Sequence, residues 1–306
     1  MNTDYDVIVI GGGGAGMTAA LYCARRALKT VVIEKTALGG QLLLTDKIEN
    51  YSAVYSASGQ ELSDVMEKQC LRDGVEFKYE EVTSIDVKDD VKKIFTSKKT
   101  YTSKAVILAT GGSHRRLKVP GEEKYEGLGV SYCATCDGPL FKKKRIAVVG
   151  GGSTAFEDAL YLSDIAGECY LIHRRDTFRA EECKVERLRK TKTKFITDTV
   201  VTEILGKGKV ESLKLKNVKT GSESELPVDA VFVAVGINPQ TDFAKAAGIG
   251  VNERGYLNVD SKMHTNVPGV FACGDVTGGI LQFSTAVGGG CTAAYSAYEY
   301  VKAKFI

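Results

Sequence analysis

Short apolar runs and longer amphipathic segments alternate along this chain, and one arrangement of them occurs twice. Four runs rich in apolar side chains have the length and composition of strands buried in a parallel sheet: residues 7–10, 31–33, 146–149 and 169–172. Residues 17–28 and 156–165 carry apolar positions at helical spacing between the members of each pair. The pattern predicts an α/β protein with two strand-helix-strand units.

The first unit carries a glycine motif directly after its first strand. Gly11, Gly13 and Gly16 match G-x-G-x-x-G. In such a motif the glycines allow a tight turn, the approach of a pyrophosphate to the backbone and close helix-strand packing. Glu34 ends the second strand, where a carboxylate accepts hydrogen bonds from a ribose. We therefore expect a dinucleotide with free ribose hydroxyls here.

The second unit repeats the motif but replaces the acid. Gly150, Gly152 and Ala155 stand in GGGSTA, and His173 occupies the position that corresponds to Glu34. A cluster of guanidinium groups follows it, at Arg174, Arg175 and Arg179. A carboxylate would repel a 2′-phosphate, whereas arginines bind one through charge-assisted hydrogen bonds. This exchange predicts NADP at the second site.

A third strand pattern near the end suggests how the domains are connected. Residues 267–275 read VPGVFACGD, an apolar strand that stops at Gly-Asp, and residues 290–302 read as a helix. The chain is then expected to return to its first domain. We predict one domain from residues 1–117 and 245–306 and an inserted domain from residues 118–244, with linkers near residues 117–119 and 241–247.

Two of the eight cysteines form a close pair, Cys133 and Cys136, between the two units. A C-x-x-C pair is a redox dithiol, half of a metal site or a coincidence. A zinc site needs about four ligands, and neither a second C-x-x-C nor paired histidines occur. We favour a redox dithiol, in which one sulfur attacks a disulfide and the other resolves the mixed disulfide. Asp137 is expected to transfer a proton, although Asp137-Gly138 also fits a plain turn.

Composition adds few constraints. The chain has 306 residues, 43% hydrophobic and 26% charged, with a net charge of +3, so nothing points to nucleic acid or membrane partners. No apolar stretch of membrane-spanning length and no signal-peptide pattern is present. We therefore expect a cytoplasmic protein whose remaining six cysteines are reduced.

The motifs together resemble those of the low-molecular-weight thioredoxin reductases over almost the whole chain. The matching segments are GGGGAG, GGQ at residues 39–41, IENY at residues 48–51, VSYCATCDG at residues 130–138, GGGSTA, HRRDTFRA at residues 173–180 and VPGVFACGD. The resemblance implies two Rossmann-like dinucleotide-binding domains, with an NADPH domain that carries the C-x-x-C inserted into an FAD domain.

The resemblance also implies the contacts of each cofactor. For FAD these are Gly13, Gly14, Ala15, Glu34, Gly40, Gln41, Thr45, Asn50, Val82, Gly111, Asp275 and Gln282. For NADPH they are Gly152, Ser153, Thr154, His173, Arg174, Arg175, Arg179 and Gly236. It further implies a homodimer that reduces thioredoxin, with Cys136 facing the flavin and Cys133 attacking the substrate.

Two segments depart from the family pattern. Ser52-Ala53 replaces the usual Pro-Gly, which bears on the contact expected of Asn50, and Leu281 replaces a basic residue before Gln282. The alternatives of the same layout are an FAD-dependent dithiol oxidase and a ferredoxin-dependent flavin thioredoxin reductase. The oxidase does not need the arginine cluster, and the ferredoxin-dependent enzyme lacks both that cluster and the second glycine motif. A non-enzymatic redox or nucleotide sensor would need no turnover, and no residue favours it.

Overall fold

The chain divides into two compact units. In the computed structural model, which describes residues 2–44 and 48–305, unit 1 comprises Met1–Ser113 and Asn238–Ile306, and unit 2 comprises His114–Ile237. The divisions follow Ser113 and Ile237, slightly before the positions at which the sequence places the linkers. At both divisions the chain forms a short strand.

The strands are numbered along the chain. They are β1 (Tyr5–Ile10), β2 (Thr30–Glu34), β3 (Glu76–Tyr79), β4 (Val82–Asp86), β5 (Lys92–Thr96), β6 (Thr100–Leu108), β7 (Gly112–His114), β8 (Val130–Ser131), β9 (Arg145–Val149), β10 (Glu168–Ile172), β11 (Lys194–Ile196), β12 (Thr199–Leu205), β13 (Ser212–Asn217), β14 (Glu223–Pro227), β15 (Ala230–Val233), β16 (Ile237–Pro239) and β17 (Val270–Ala272).

The α-helices are numbered in the same way. They are α1 (Gly14–Ala24), α2 (Gly59–Arg72), α3 (Ala134–Asp137), α4 (Ser153–Ile165), α5 (Glu182–Arg189), α6 (Asp242–Ala246) and α7 (Phe283–Phe305). Short 3-10 turns cover Gly40–Leu44, Gly138–Phe141 and Gly274–Thr277. None of the helices in the described residues is long and apolar enough to cross a membrane.

Unit 1 is built on a seven-stranded sheet of order β3-β2-β1-β6-β5-β4, with β17 also paired to β6. Strands β3, β2, β1, β6 and β17 run parallel, and β5 and β4 form an antiparallel extension. Residues 7–10 and 105–108 of the central strands β1 and β6 are buried on both faces, which explains their continuous apolar sequence. Because parallel strands end at one edge, the segments after β1, β2, β6 and β17 meet there.

Unit 2 is built on a five-stranded parallel sheet of order β11-β10-β9-β15-β8. A separate antiparallel sheet, β12-β13-β14, packs its apolar face into a core that also includes Val149 of β9 and Val231 of β15. A second core beneath α4 contains Phe156, Ala159 and Leu162. The two doubly wound units confirm the predicted fold class of two Rossmann-like domains.

Three helices begin earlier than their sequence patterns indicate. Helix α4 begins at Ser153 rather than at residue 156. Helix α1 begins at Gly14 rather than at residue 17, so the glycine motif itself forms its first turn. Helix α7 begins at Phe283 rather than at residue 290 and continues through the glycines of residues 288–290. A side chain on Gly290 would collide with the carbonyl oxygen of Ala15 in α1. Glycine at position 290 is therefore needed for the close packing of α7 on α1, and it does not mark the start of α7.

Candidate functional site: two nucleotide cradles and a redox pair

The start of α1 forms a cradle at the carboxyl edge of the unit 1 sheet. Gly11 has a φ of 103°, and a side chain there would collide with the carbonyl oxygen of Ala109. A side chain on Gly16 would meet the carbonyl oxygen of Gly11, so the turn and the helix pack without room for a Cβ. Above Gly13, in contrast, the nearest atom to an added Cβ would lie 3.8 Å away. A Cβ at Gly13 would therefore make only ordinary van der Waals contact at the helix N-terminus.

The N-termini of α1 and α4 differ from that of α2 in their capping. Ser58 caps α2, and Glu61 completes a capping box there. Gly13 and Gly152 precede α1 and α4, where among the described residues no side chain caps the helix and no acidic residue lies in the first turn. Uncapped N-terminal amides and the helix dipole favour an anion. Both termini therefore fit a pyrophosphate group.

Two carboxylates border the first cradle. Glu34 ends β2 and accepts hydrogen bonds from the amides of Gly12 at 2.7 Å and Thr36 at 2.9 Å, which fixes its orientation. Asp275 follows β17 in a 3-10 turn, and burial raises the pKa of its carboxyl. Within the described part of the chain, no hydrogen bond to the Asp275 side chain is present. A partly buried carboxyl such as that of Asp275 can form a hydrogen bond with a hydroxyl group of a ligand, such as one of a ribityl chain.

Predicted flavin residues that are distant in sequence lie together in unit 1. Asn50 donates a hydrogen bond from its amide to the side-chain oxygen of Gln282 at 3.2 Å. Tyr51 contacts Phe283 edge to face at a centroid distance of 4.6 Å. The Phe283 ring in turn covers Gly14 at the start of α1, where it leaves no space for a Cβ. Despite Ser52-Ala53 in the next turn, Asn50 therefore reaches the segment that leads into α7.

Of the remaining predicted flavin residues, Gly40, Gln41 and Gly111 lie at the same edge or on the chain that borders it. A Cβ added to Gly40 would lie 3.4 Å from the Cα of Gly13. The side-chain amide of Gln41 donates a hydrogen bond to the carbonyl of Gly112 at 3.0 Å. Gly111 follows β6, and Val82 begins the edge strand β4. Thr45 lies outside the described residues.

The second cradle repeats this geometry in unit 2. A side chain on Gly150 would collide with the carbonyl oxygen of Ala234, whereas nothing lies within 4 Å of a Cβ added to Gly152. Ser153 and Thr154 form the first turn of α4. Gly236 follows β15 with a φ of 112°. These positions border the carboxyl edge of the unit 2 sheet.

The arginine cluster follows β10 at the same edge. Arg174, Arg175 and Arg179 are exposed, and within the described residues they form no ion pair. The amide of Arg179 donates to the carbonyl of Gly151 at 2.8 Å, which holds this loop against the glycine motif. Burial and the three arginines lower the pKa of His173. The loop therefore presents uncompensated positive charge beside the α4 N-terminus, as a phosphomonoester site requires.

The cysteine pair lies at the start of a short helix in unit 2. Cys133 and Cys136 form a disulfide, with Cys133 immediately before α3 and Cys136 within it. The Cys133 sulfur accepts a hydrogen bond from the Cys136 amide at 3.2 Å. A backbone donor in this position stabilises a thiolate. In residues 2–44 and 48–305, no cluster of three or more potential ligands that could hold a metal ion is found.

Ser131, which the sequence reasoning did not identify, connects the parts of this motif. Its hydroxyl donates to the Asp137 carboxylate at 2.6 Å, and its oxygen accepts the Cys133 amide at 3.1 Å. Ser131 is only 4% exposed. The one available signal was its place two residues before Cys133, at the end of β8. Serines are too common for that position alone to indicate a role.

Comparisons with known proteins agree with this geometry. The family described as "Pyridine nucleotide-disulphide oxidoreductase" matches residues 5–290. A thioredoxin reductase of Treponema pallidum is 44% identical over 304 residues, covering 98% of this chain and 98% of that protein. The chain belongs to the thioredoxin reductase family. The crystal structure of the thioredoxin reductase from Streptococcus pyogenes covers 98% of each chain, with 42% identity and a TM-score of 0.93.

Membership of the thioredoxin reductase family defines the general chemistry. A thioredoxin reductase of Listeria innocua is also 44% identical, over 97% of this chain and 94% of that protein. The chain is thus a flavoprotein oxidoreductase with a redox disulfide, and Cys133–Cys136 is a disulfide in its structure. The predicted family resemblance is confirmed.

Proposed function

We propose that this protein transfers electrons from NADPH, through FAD and the Cys133–Cys136 pair, to oxidised thioredoxin. One observation carries the proposal. The strands that precede Cys133, Gly150 and His173 are β8, β9 and β10, which belong to one parallel sheet. The cysteine pair and the second nucleotide cradle therefore emerge at the same edge of unit 2.

The residues present fit both cofactors. For FAD, the uncapped α1 terminus fits the pyrophosphate, Glu34 the adenosine ribose and Asp275 the ribityl chain. For NADPH, the uncapped α4 terminus fits the pyrophosphate, and the arginines after β10 fit the 2′-phosphate. When bound, the two cofactors supply hydride transfer and two-electron reduction of the disulfide.

The chain's own residues then perform thiol-disulfide exchange. Reduction of the Cys133–Cys136 bond takes two electrons and two protons and gives two thiols. The Cys133 thiolate attacks one sulfur of the partner disulfide, which releases the other partner sulfur as a thiolate and forms a mixed disulfide. The Cys136 thiolate attacks Cys133, which restores the bond and releases the second partner thiol. Asp137, oriented by Ser131, donates and accepts the protons of the cysteines and departing sulfur.

Replacement of Cys133 with serine tests these roles. The variant should retain full flavin reduction by NADPH but lose steady-state reduction of thioredoxin by at least about 10³-fold, on the scale of other nucleophile removals. Cys183→Ser is a matched control, because Cys183 is a free, exposed cysteine in the same unit. Loss of flavin reduction in Cys133→Ser would contradict the role assigned to Cys133. Substantial thioredoxin reduction by this variant would do so as well.

We also propose that the protein is a homodimer. Unit 1 exposes aromatic side chains on neighbouring helices, with Tyr22 of α1 36% exposed and Tyr295 of α7 45% exposed. The guanidinium of Arg26 lies 3.7 Å from the centroid of the Tyr295 ring. Aromatic and arginine side chains are enriched in protein interfaces. Sedimentation equilibrium should give about twice the chain mass, and a monomer at micromolar concentration would contradict the proposal.

We also propose that the protein is cytoplasmic, which is consistent with its membership of the thioredoxin reductase family. Six cysteines are free among the described residues, and five of them are at least partly buried. Free thiols persist in a reducing compartment.

A further inference from the structure

His173 is held rigidly at the end of β10. Its amide donates to the carbonyl of Ile196 at 2.9 Å, and its carbonyl accepts the amide of Thr199 at 3.0 Å. Its ring fills the space above Gly151, where an added Cβ would collide with three ring atoms. Phe178 lies on another side, with ring centroids 5.6 Å apart. The imidazole is therefore fixed between the glycine motif and the loop that carries the arginines.

The charged groups that act on this imidazole are all cations. Burial lowers the pKa of His173, and Arg174, Arg175 and Arg179 lower it further. A hydrogen bond with the backbone of Thr177 opposes this shift without reversing it. In the free protein the ring is therefore mainly neutral at pH 7.

Three acidic side chains on the surrounding segments form ion pairs with lysines. Asp176 and Asp198 both form ion pairs with Lys219, at 2.7 Å and 3.1 Å. Glu181, farther along the loop, pairs with Lys184 at 3.1 Å. The glycine motif that contacts the ring carries no charged residue. These carboxylates therefore do not offset the positive charge that the three arginines place on the His173 ring.

We propose that the imidazole of His173 takes up a proton from solution when a 2′-phosphate binds among the three arginines. A phosphomonoester carries a charge between about −1.5 and −2 at pH 7 and would cancel the repulsion that keeps the imidazole neutral. The imidazolium then adds one more cation to the site. This inference rests on the proposed function, in which the second cradle holds NADPH.

The sign of the pH dependence follows from linkage. Binding raises the pKa of His173, so the added affinity is fully present below the pKa of the free protein. It is lost as the pH rises through the higher pKa of the complex. NADH lacks the phosphate and should show no such dependence. The phosphate itself has a pKa of about 6, and its ionisation strengthens binding as the pH rises. A variant without the imidazole is therefore needed for comparison.

The experiment uses the flavin-loaded protein and two probes, adenosine 2′,5′-bisphosphate and 5′-AMP. The chain has three histidines, so ring carbon labelling gives three resonances whose titration is followed by NMR. His173→Gln assigns one of them. His114 and His264 serve as internal references, because His114 stacks on Tyr132 and His264 pairs with Asp260, and none of these residues belongs to this loop. Calorimetry of the bisphosphate in two buffers of different ionisation enthalpy counts the protons taken up.

The bisphosphate should move the titration midpoint of His173 upward by at least about one pH unit, and 5′-AMP should not move it. Between about pH 6 and 8 the wild-type affinity should fall by up to about tenfold more than that of His173→Gln, since one pKa unit corresponds to a factor of ten. Tight bisphosphate binding with an unmoved midpoint would overturn this inference alone. If the bisphosphate bound no better than 5′-AMP, and Arg174→Ala/Arg175→Ala changed nothing, both the inference and the NADPH assignment would be overturned.

Discussion

At the residue scale, the cysteine pair has a neighbour without redox function, Ser131, whose hydroxyl connects the parts of the motif. The Ser131 hydroxyl donates to the Asp137 carboxylate and accepts from the Cys133 amide, so it sets the position of the carboxylate, which we propose as the proton-transferring group, relative to the Cys133 backbone. Since Ser131 is buried, water does not readily replace its hydroxyl.

Replacement of Ser131 with alanine should lower thioredoxin reduction by roughly 3- to 30-fold and the free energy of unfolding by about 1–3 kcal/mol, because a buried donor and a carboxylate lose their partner. Steady-state assays and urea denaturation measure the two effects. Ser163→Ala is the matched control, because the Ser163 hydroxyl donates within α4, to the carbonyl of Leu160. Equal activities of the two variants would show that Ser131 does not position Asp137.

The sequence indicated individual candidate residues where their type and spacing carry the chemistry. Glu34 and His173 occupy equivalent positions in two repeats, and their side chains distinguish the two cradles. Ser131 was not predicted, because its proposed role depends on a side-chain contact that the spacing of residues in the sequence does not reveal. The Asn50–Gln282 hydrogen bond escaped for the same reason, since 232 residues separate its partners.

At the element scale, the strands were predicted more closely than the helix starts. The buried strands β1, β2, β9 and β10 each contain the apolar run that predicted them. The starts of α1 and α7 were predicted too late in the sequence because both helices contain glycines in their first turns or shortly after them. Glycine disfavours an isolated helix. Contacts between α1 and α7 override that preference at Gly290, where only glycine permits their close approach.

Helix α4 also supports a prediction about pH and stability. Burial, with a smaller contribution from Glu157, raises the pKa of Asp158 to about 7. An acid whose pKa is raised on folding stabilises the folded state at low pH, and that stability is lost as the pH rises from about 4 to 7.

Asp158→Asn should therefore raise the free energy of unfolding by on the order of 1–2 kcal/mol at pH 8 and by less at pH 5, because the amide does not ionise. Urea denaturation at the two pH values measures the difference. Asp164→Asn, an exposed change on the same helix, should have little effect at either pH. A gain in Asp158→Asn that is independent of pH would contradict the assignment.

At the scale of the whole molecule, the chain contains two doubly wound units that differ in charge at the end of the second strand. Glu34 stands there in unit 1, and His173 followed by arginines stands there in unit 2. The inserted unit adds the cysteine pair at the edge where its nucleotide cradle opens. The sequence predicted this nesting because the C-terminal strand pattern returns to the first unit, where β17 pairs with β6. The divisions at Ser113 and Ile237 could not be predicted closely, because they depend on which unit each linker strand packs against.

We propose that NADPH is the electron donor to the bound flavin. Anaerobic stopped-flow absorbance should show flavin reduction by NADPH that is at least about tenfold faster than by NADH at equal subsaturating concentrations, as arginines that bind a 2′-phosphate require. Reduced ferredoxin should not replace NADPH. Flavin that stays oxidised with NADPH but is reduced by ferredoxin or by a small dithiol would contradict the account.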